Sequence, residues 1–187
     1  SEYEIGRMRE AAQISADAHE FVRAHAHAKK NERQLQGLIE SFFLDRGSRG
    51  PAYNSIVASG DNACVLHYTS NNSDLKKGEL VLIDAGCSLM DYYNGDITRT
   101  FPIGGKFSGE QKAIYEIVLE AQKSAIANVI TGVDSNHIHN SALKVLVDGL
   151  KELGLLKGDT EGIIEEGSYK HLYMHQTGHW LGLDVHD

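Results

Sequence analysis

The sequence predicts an α+β fold in one domain, ordered as two helices, four strands, two helices and a closing strand. Three observations carry that expectation. Apolar residues recur at helical intervals near both ends of the chain, and the period shortens to compact β-branched runs between residues 53 and 101. The composition is globular: 187 residues, 41% hydrophobic and 24% charged, with two prolines. A chain of that size buries roughly 70% of the surface its unfolded form exposes, which is enough for a real core.

Taken in order, residues 4–24 set Ile5, Met8, Ala12, Ala18, Phe21 and Val22 along one helical face. A second helix starts at "NERQ", with Asn31 as N-cap and Gln34 three residues on. Leu35, Leu38, Ile39, Phe42 and Phe43 form its apolar face, and Gly47 is its stop. "NSIVAS", "ACVLHYT", "ELVLIDAG" and "DITRTF" are the four strands, separated by Gly, Asn, Asp and Lys. "FSGEQKAIYEIVLEAQKSAIANVITG" returns to helical period, with Ser108 and Gln111 as a capping box and an end near Gly132. "DSNHIHNSALKVLVDGLKELG" gives a fourth helix that stops at Gly154, and the closing segment reads as strand. No repeat, low-complexity tract or linker divides residues 1–187.

A net charge of −8, with 18 Lys and Arg against 26 Asp and Glu, argues against nucleic acid or an anionic membrane as partner. No run approaches the ~18 apolar residues of a membrane span, and the first twenty residues hold no signal-like apolar core. Cys64 and Cys87 lack CxxC spacing and sit among apolar neighbours, so both are expected as buried free thiols in a cytoplasmic protein.

The chemistry begins at "VLIDAG". The apolar run Leu80 to Ile83 implies a strand buried on both faces, and Asp84 follows where an ionised carboxylate is costly without a partner. Taken alone, Asp84 reads as a turn cap ahead of Gly86. Asp96 changes the balance, because the hairpin formed by "CSLMDYYNG" brings it opposite Asp84. Two carboxylates placed together repel, and a divalent cation is the usual remedy. Arg99 is the competing counter-charge, although its odd spacing from Asp96 points it to the other face of the strand. The last stretch, "MHQTGHWLGLDVHD", supplies imidazoles at His175, His179 and His186, and His67 adds another from the "ACVLHYT" strand. Any one of them alone reads as a satisfied core histidine. With two aspartates the set suits Mn, Co, Fe or Zn rather than a Cys-rich structural zinc. His25, His27, His137 and His139 lack that setting and are read as solvated.

"LHYTSN", "LVLIDAG", "GDITRTFP", "GKFSGEQKAIYEIVLEAQ" and "HWLGLDVHD" together resemble the catalytic domain of the aminopeptidase P family, the Xaa-Pro aminopeptidases of pita-bread fold. The resemblance runs through nearly the whole chain. It implies two divalent metal ions, most commonly Mn with Co or Zn as alternatives, and a peptide substrate with proline in second position. It also implies Asp84, Asp96 and His179 as metal ligands, with His67, His175 and His186 positioning substrate and handling protons. Metal-activated water suits a proline bond, since a proline amide has no N–H for an enzyme to engage.

Members of that family carry a preceding domain and, beyond the "VHD" motif, further strands with two glutamate ligands. The chain is therefore expected to be the N-terminal major part of a catalytic domain, inactive alone and prone to form homo-oligomers through an exposed sheet edge. Glu161, Glu165 and Glu166, expected in a polar loop, are poor substitutes for the missing ligands. Prolidase, a dipeptidase of the same fold, is the nearest rival. Methionine aminopeptidase is less similar around "GHWLGLDVHD", and non-catalytic histone-binding relatives have lost the ligands that Asp84, Asp96 and His179 represent here.

Overall fold

Helix termini set the framework of this computed structural model, which describes all 187 residues. Two compact units emerge, Ser1–Phe107 with Trp180–Asp187, and Ser108–His179.

In the first unit, Ser1 caps helix α1 (Glu2–His25) by accepting from the Glu4 amide, and Glu4 returns a bond to complete a capping box. Asn31 caps α2 (Glu32–Asp45), accepting from Arg33 N at 2.9 Å, while Gln34 Oε1 accepts from Lys30 N at 2.8 Å. Gly47 takes φ +80° just beyond the helix, as its position in the sequence predicts. Ala11, Ala18 and Val22 of α1 and Leu35, Ile39 and Phe43 of α2 are fully buried against one face of a sheet.

That sheet holds β2 (Ile56–Ser59), β3 (Leu80–Asp84) and β5 (Thr98–Pro102), antiparallel in the order β2-β3-β5. A small ribbon pairs β1 (Gly50–Pro51) with β4 (Cys87–Ser88). Burial along β3 alternates, with Val81 and Ile83 inside and Leu82 half-buried, so the strand is covered on one face rather than both.

"ACVLHYT" is not a strand. Residues Gly60–Cys64 form a 3-10 turn, and Val65 and Leu66 are 56% and 61% exposed. The outer edge of β2 is instead satisfied by a side chain: Asn71 Oδ1 accepts from Val57 N at 2.9 Å and its Nδ2 donates to Ser55 O at 2.7 Å. Cys64, expected to be buried, is exposed on that turn; Cys87 is buried, and both are free thiols.

The second unit opens with the expected capping box, Gln111 N donating to Ser108 Oγ at 3.2 Å and Ser108 N to Gln111 Oε1 at 2.9 Å. Helix α3 (Gly109–Ala127) ends before Gly132 because Asn128 leaves helical geometry, its side-chain amide donating to Ser124 O at 2.8 Å. Helix α4 (Ser135–Glu152) is capped by Asp134, which accepts from His137 N at 2.9 Å, and Gly154 follows at φ +74°. Small residues Ala121, Ala125 and Ala142 pack between α3 and α4.

A helix the sequence reading passed over, α5 (Thr160–Glu166), is capped by Asp159 and ended by Gly167 in the left-handed conformation. It buries Ile163 against Leu143, Val147 and Leu156, so Glu161, Glu165 and Glu166 lie on a short helix instead of a loop. The closing segment, expected as strand, joins no sheet. A 3-10 turn at Ser168–His171 is followed by irregular backbone to Asp187. A strand needs a ladder partner, and here the main-chain link is a single bond from Asn94 N to Gly182 O at 3.1 Å.

Two glycines make opposite predictions. A Cβ on Gly95 would sit 2.4 Å from Ser15 Oγ and 2.8 Å from the Ala11 carbonyl oxygen of α1, whereas one on Gly37 meets nothing within 4 Å. Gly95→Ala is expected to destabilise by about 2–3 kcal/mol through overpacking. Gly37→Ala is expected to stabilise by about 0.5–1 kcal/mol through helix propensity. Urea denaturation of the two variants measures both.

Candidate metal centre

The hairpin that follows β3 carries both candidate carboxylates. Asp84 pairs with Thr98 in the β3–β5 register, and the pairing continues through Ala85 N to Ile97 O at 3.1 Å and Gly95 N to Cys87 O at 2.9 Å. The turn closes with Leu89 N donating to Tyr93 O at 2.9 Å, with Tyr92 at φ +72°. Backbone approach between the two arms is close enough that a Cβ on Gly86 would lie 1.7 Å from the Gly95 carbonyl oxygen. Asp84 and Asp96 flank this contact, and so face each other as the sequence predicts.

Between them sits a residue that sequence reasoning missed. The Tyr53 hydroxyl lies 2.5 Å from Asp84 Oδ1 and 2.7 Å from Asp96 Oδ1. One hydroxyl carries one proton and can donate to one carboxylate at a time, so it cannot by itself neutralise the pair. Burial, joined by the charge of Asp96 and opposed by the Tyr53 hydrogen bond, raises the Asp84 pKa. Burial and the two carboxylates push the Tyr53 phenol far up, keeping it protonated. Nothing in "PAYNS" signals this role. It follows from the strand register, in which Ile56 pairs with Asp84 and brings the preceding residues to the same end of the sheet.

Oxygen donors on two repelling carboxylates fit a divalent cation. Arg99, weighed as the counter-charge, is exposed and donates to the Thr98 carbonyl at 2.8 Å. Behind the hairpin, buried His19 of α1 donates from Nε2 to the Ala85 carbonyl at 3.0 Å, and burial lowers its pKa, so the ring stays neutral.

The candidate histidines are placed differently from the aspartates. His67 lies on the exposed turn after Gly60–Cys64 at φ +55°, not on a strand. His175 is exposed, with Nδ1 3.0 Å from its neighbour's carbonyl at Gln176 and its ring edge-on to Tyr173 at 5.1 Å. His179 and His186 are exposed on irregular backbone. No three His, Cys, Asp or Glu side chains come together in a ligand-like group.

His25, His27 and His137 are exposed, as expected. His139 is not simply solvated. It is half-buried on α4, its Nδ1 lies 2.9 Å from Thr177 Oγ1, and its ring stacks on Tyr173 at 5.9 Å. Burial, then the charge of His175, lowers its pKa.

A family model described as metallopeptidase family M24 matches residues 6–187. The chain belongs to metallopeptidase family M24. Among its M24 relatives, an Xaa-Pro aminopeptidase of Haemophilus influenzae is 47% identical over 184 residues, covering 98% of this chain and 43% of that protein. The Escherichia coli Xaa-Pro aminopeptidase is 43% identical, covering 98% of this chain and 42% of that protein. In three dimensions the chain matches zinc-substituted E. coli aminopeptidase P in complex with product at a TM-score of 0.96 and 43% identity, covering 100% of this chain and 42% of that one. Pseudomonas aeruginosa aminopeptidase PepP matches at 0.94 and 48% identity, over the same shares. The expected α+β pita-bread class is therefore the one found, and the M24 chain spans about two-fifths of the length of the relatives it matches.

The carboxylate pair makes a prediction of its own. With its folded pKa raised above the ordinary 3.8, ionised Asp84 weakens the metal-free fold at neutral pH, and that penalty fades as pH falls through the raised folded pKa and is gone below 3.8. Asp84→Asn is expected to raise metal-free stability at pH 7 by about 1 kcal/mol, a gain that shrinks in acid. Thermal unfolding at pH 7 and pH 3.5 measures it, and a loss at pH 7 would contradict the repulsion argument.

Proposed function

We propose that this chain is the metal-binding portion of an Xaa-Pro aminopeptidase, acting on peptides with proline in second position. The observation that carries the reading is the Asp84–Asp96 pair around one tyrosine hydroxyl, in a chain of family M24 whose curated relatives are named for that activity. Asp84, Asp96 and His179 would hold a pair of divalent ions, with manganese our choice over cobalt or zinc. When bound, such ions activate water and polarise a scissile carbonyl.

The chain's own residues do the remaining work. Asp84 and Asp96 offer carboxylate oxygens already aligned by the hairpin, and Tyr53 orients them through its hydroxyl. His67, His175 and His186 would hold the substrate, each imidazole donating an N–H to a peptide oxygen or carrying a proton near neutral pH. The setting we propose is cytoplasmic; no helix is long and apolar enough to cross a membrane. We further propose self-association, supported by exposed Ile126, Val129, Ile130 and Trp180. Size-exclusion chromatography should then show elution that shifts with concentration; a monomer at every concentration would sink this part.

Calorimetric titration with Mn tests the centre. This chain should bind weakly, since two carboxylates converge without a third ligand, and Asp84→Ala should abolish the signal. Extended to the length of its curated relatives, the polypeptide should bind tightly and cleave an Xaa-Pro-Yaa tripeptide. Two tight sites in the 187-residue chain would overturn the half-site reading, and no cleavage by the extended polypeptide would overturn the activity.

A further inference from the structure

Glu32, at the start of α2, is 0% exposed. Its carboxylate has five donors, all neutral. Oε1 accepts from Ser59 N at 2.7 Å, Ser59 Oγ at 2.8 Å and Asn62 Nδ2 at 3.0 Å. Oε2 accepts from the Tyr68 hydroxyl and the Ser73 amide, each at 2.9 Å. Main-chain bonds reinforce the same junction, Glu32 N donating to Ser73 O at 2.9 Å and Leu75 N to Lys30 O at 2.8 Å. Desolvation would raise the carboxyl's pKa, but the hydrogen bonds from Asn62, Ser73 and Ser59 outweigh it and leave the pKa lowered.

These donors come from both ends and the middle of one loop, residues 59–73. Apolar burial does not hold that loop, because Val65 and Leu66 at its centre are exposed. His67 at φ +55° and Asn71 at φ +46° adopt left-handed backbone, which is costly for a non-glycine residue and persists where surroundings over-determine it. His67 sits directly beside Tyr68, one of the carboxylate's donors. An apolar residue in place of Glu32 would suit burial better, so the ionic hub is understood as a device for one loop shape.

We propose that Glu32 is a positioning residue: through Tyr68, Asn62 and Ser73 it fixes the 59–73 loop in the conformation that presents His67 to substrate. The proposal rests on the reading of His67 as a substrate-binding histidine given above.

Tyr68→Phe tests it by removing one donor without disturbing packing; Glu32→Gln is the stronger variant and the one at risk of not folding. In the 187-residue chain, Tyr68→Phe is expected to speed amide exchange across residues 60–73 by about ten- to a hundred-fold, with exchange in α4 unchanged. In the extended polypeptide it should lower kcat more than it raises KM. With His67→Ala already present, Tyr68→Phe should cause no further loss of kcat. Unchanged loop exchange beside an impaired His67→Ala would overturn the role of Glu32 alone. So would a full-sized kcat loss that persists without His67. An unimpaired His67→Ala would instead overturn the reading of His67, and with it the proposal.

Discussion

Two like-charged carboxylates that the backbone will not let separate are the constraint around which the first unit is organised. Asp84 and Asp96 stand on the two arms of one hairpin; the arms approach so closely that Gly86 has no room for a side chain, and α1 leaves none at Gly95. α1 closes the other side, with Ser15 Oγ accepting from Cys87 N at 3.0 Å and donating to Ala11 O at 2.7 Å, and His19 holding the Ala85 carbonyl. Relief by moving apart would break the ladder, the glycine contact and the helix packing together. Relief can come as a proton or a cation, which supports the proposal that the pair is a binding site.

The same unit contains a second buried carboxylate in the opposite condition. Glu32 has more donors than a carboxylate has lone pairs to fill, and its pKa is lowered; Asp84 shares one phenolic proton with a neighbour of like charge, and its pKa is raised. The contrast separates their uses. A saturated carboxylate has no capacity for a ligand and can only hold structure. A pair that repels lowers stability in the metal-free state, and a cation would relieve that repulsion.

What was legible in the sequence follows from how local each signal is. The Ser108–Gln111 box, the Asn31 cap and the Gly47 and Gly154 stops are properties of a few consecutive residues, and all are found. The facing of Asp84 and Asp96 was legible because a hairpin is nearly local too. "ACVLHYT" failed because β-branched composition says nothing about whether an edge is free, and Asn71 already occupies that edge of β2. The closing segment failed for the same reason: its pattern suits a strand, but no ladder partner is supplied. Helix α5 was missed because seven residues with two isoleucines give too little period to register. Tyr53 and Glu32 act across 31 and 36 positions of chain, on Asp84 and Tyr68, so neither leaves a local trace.

The residues of the proposed site therefore differ in how much order they bring to it. The aspartates are held by paired backbone, a shared hydroxyl and a packed helix, so little conformational freedom remains for a cation to remove. His175, His179 and His186 stand exposed on backbone without a ladder, and His67 owes its place to a polar loop. Fixing a residue's backbone costs about 1–2 kcal/mol. With the carboxylates already in place, metal affinity should be limited by whatever orders the segment that carries His179. Discrimination among divalent ions, which turns on nitrogen against oxygen ligands, would then be decided by the least ordered part of the site.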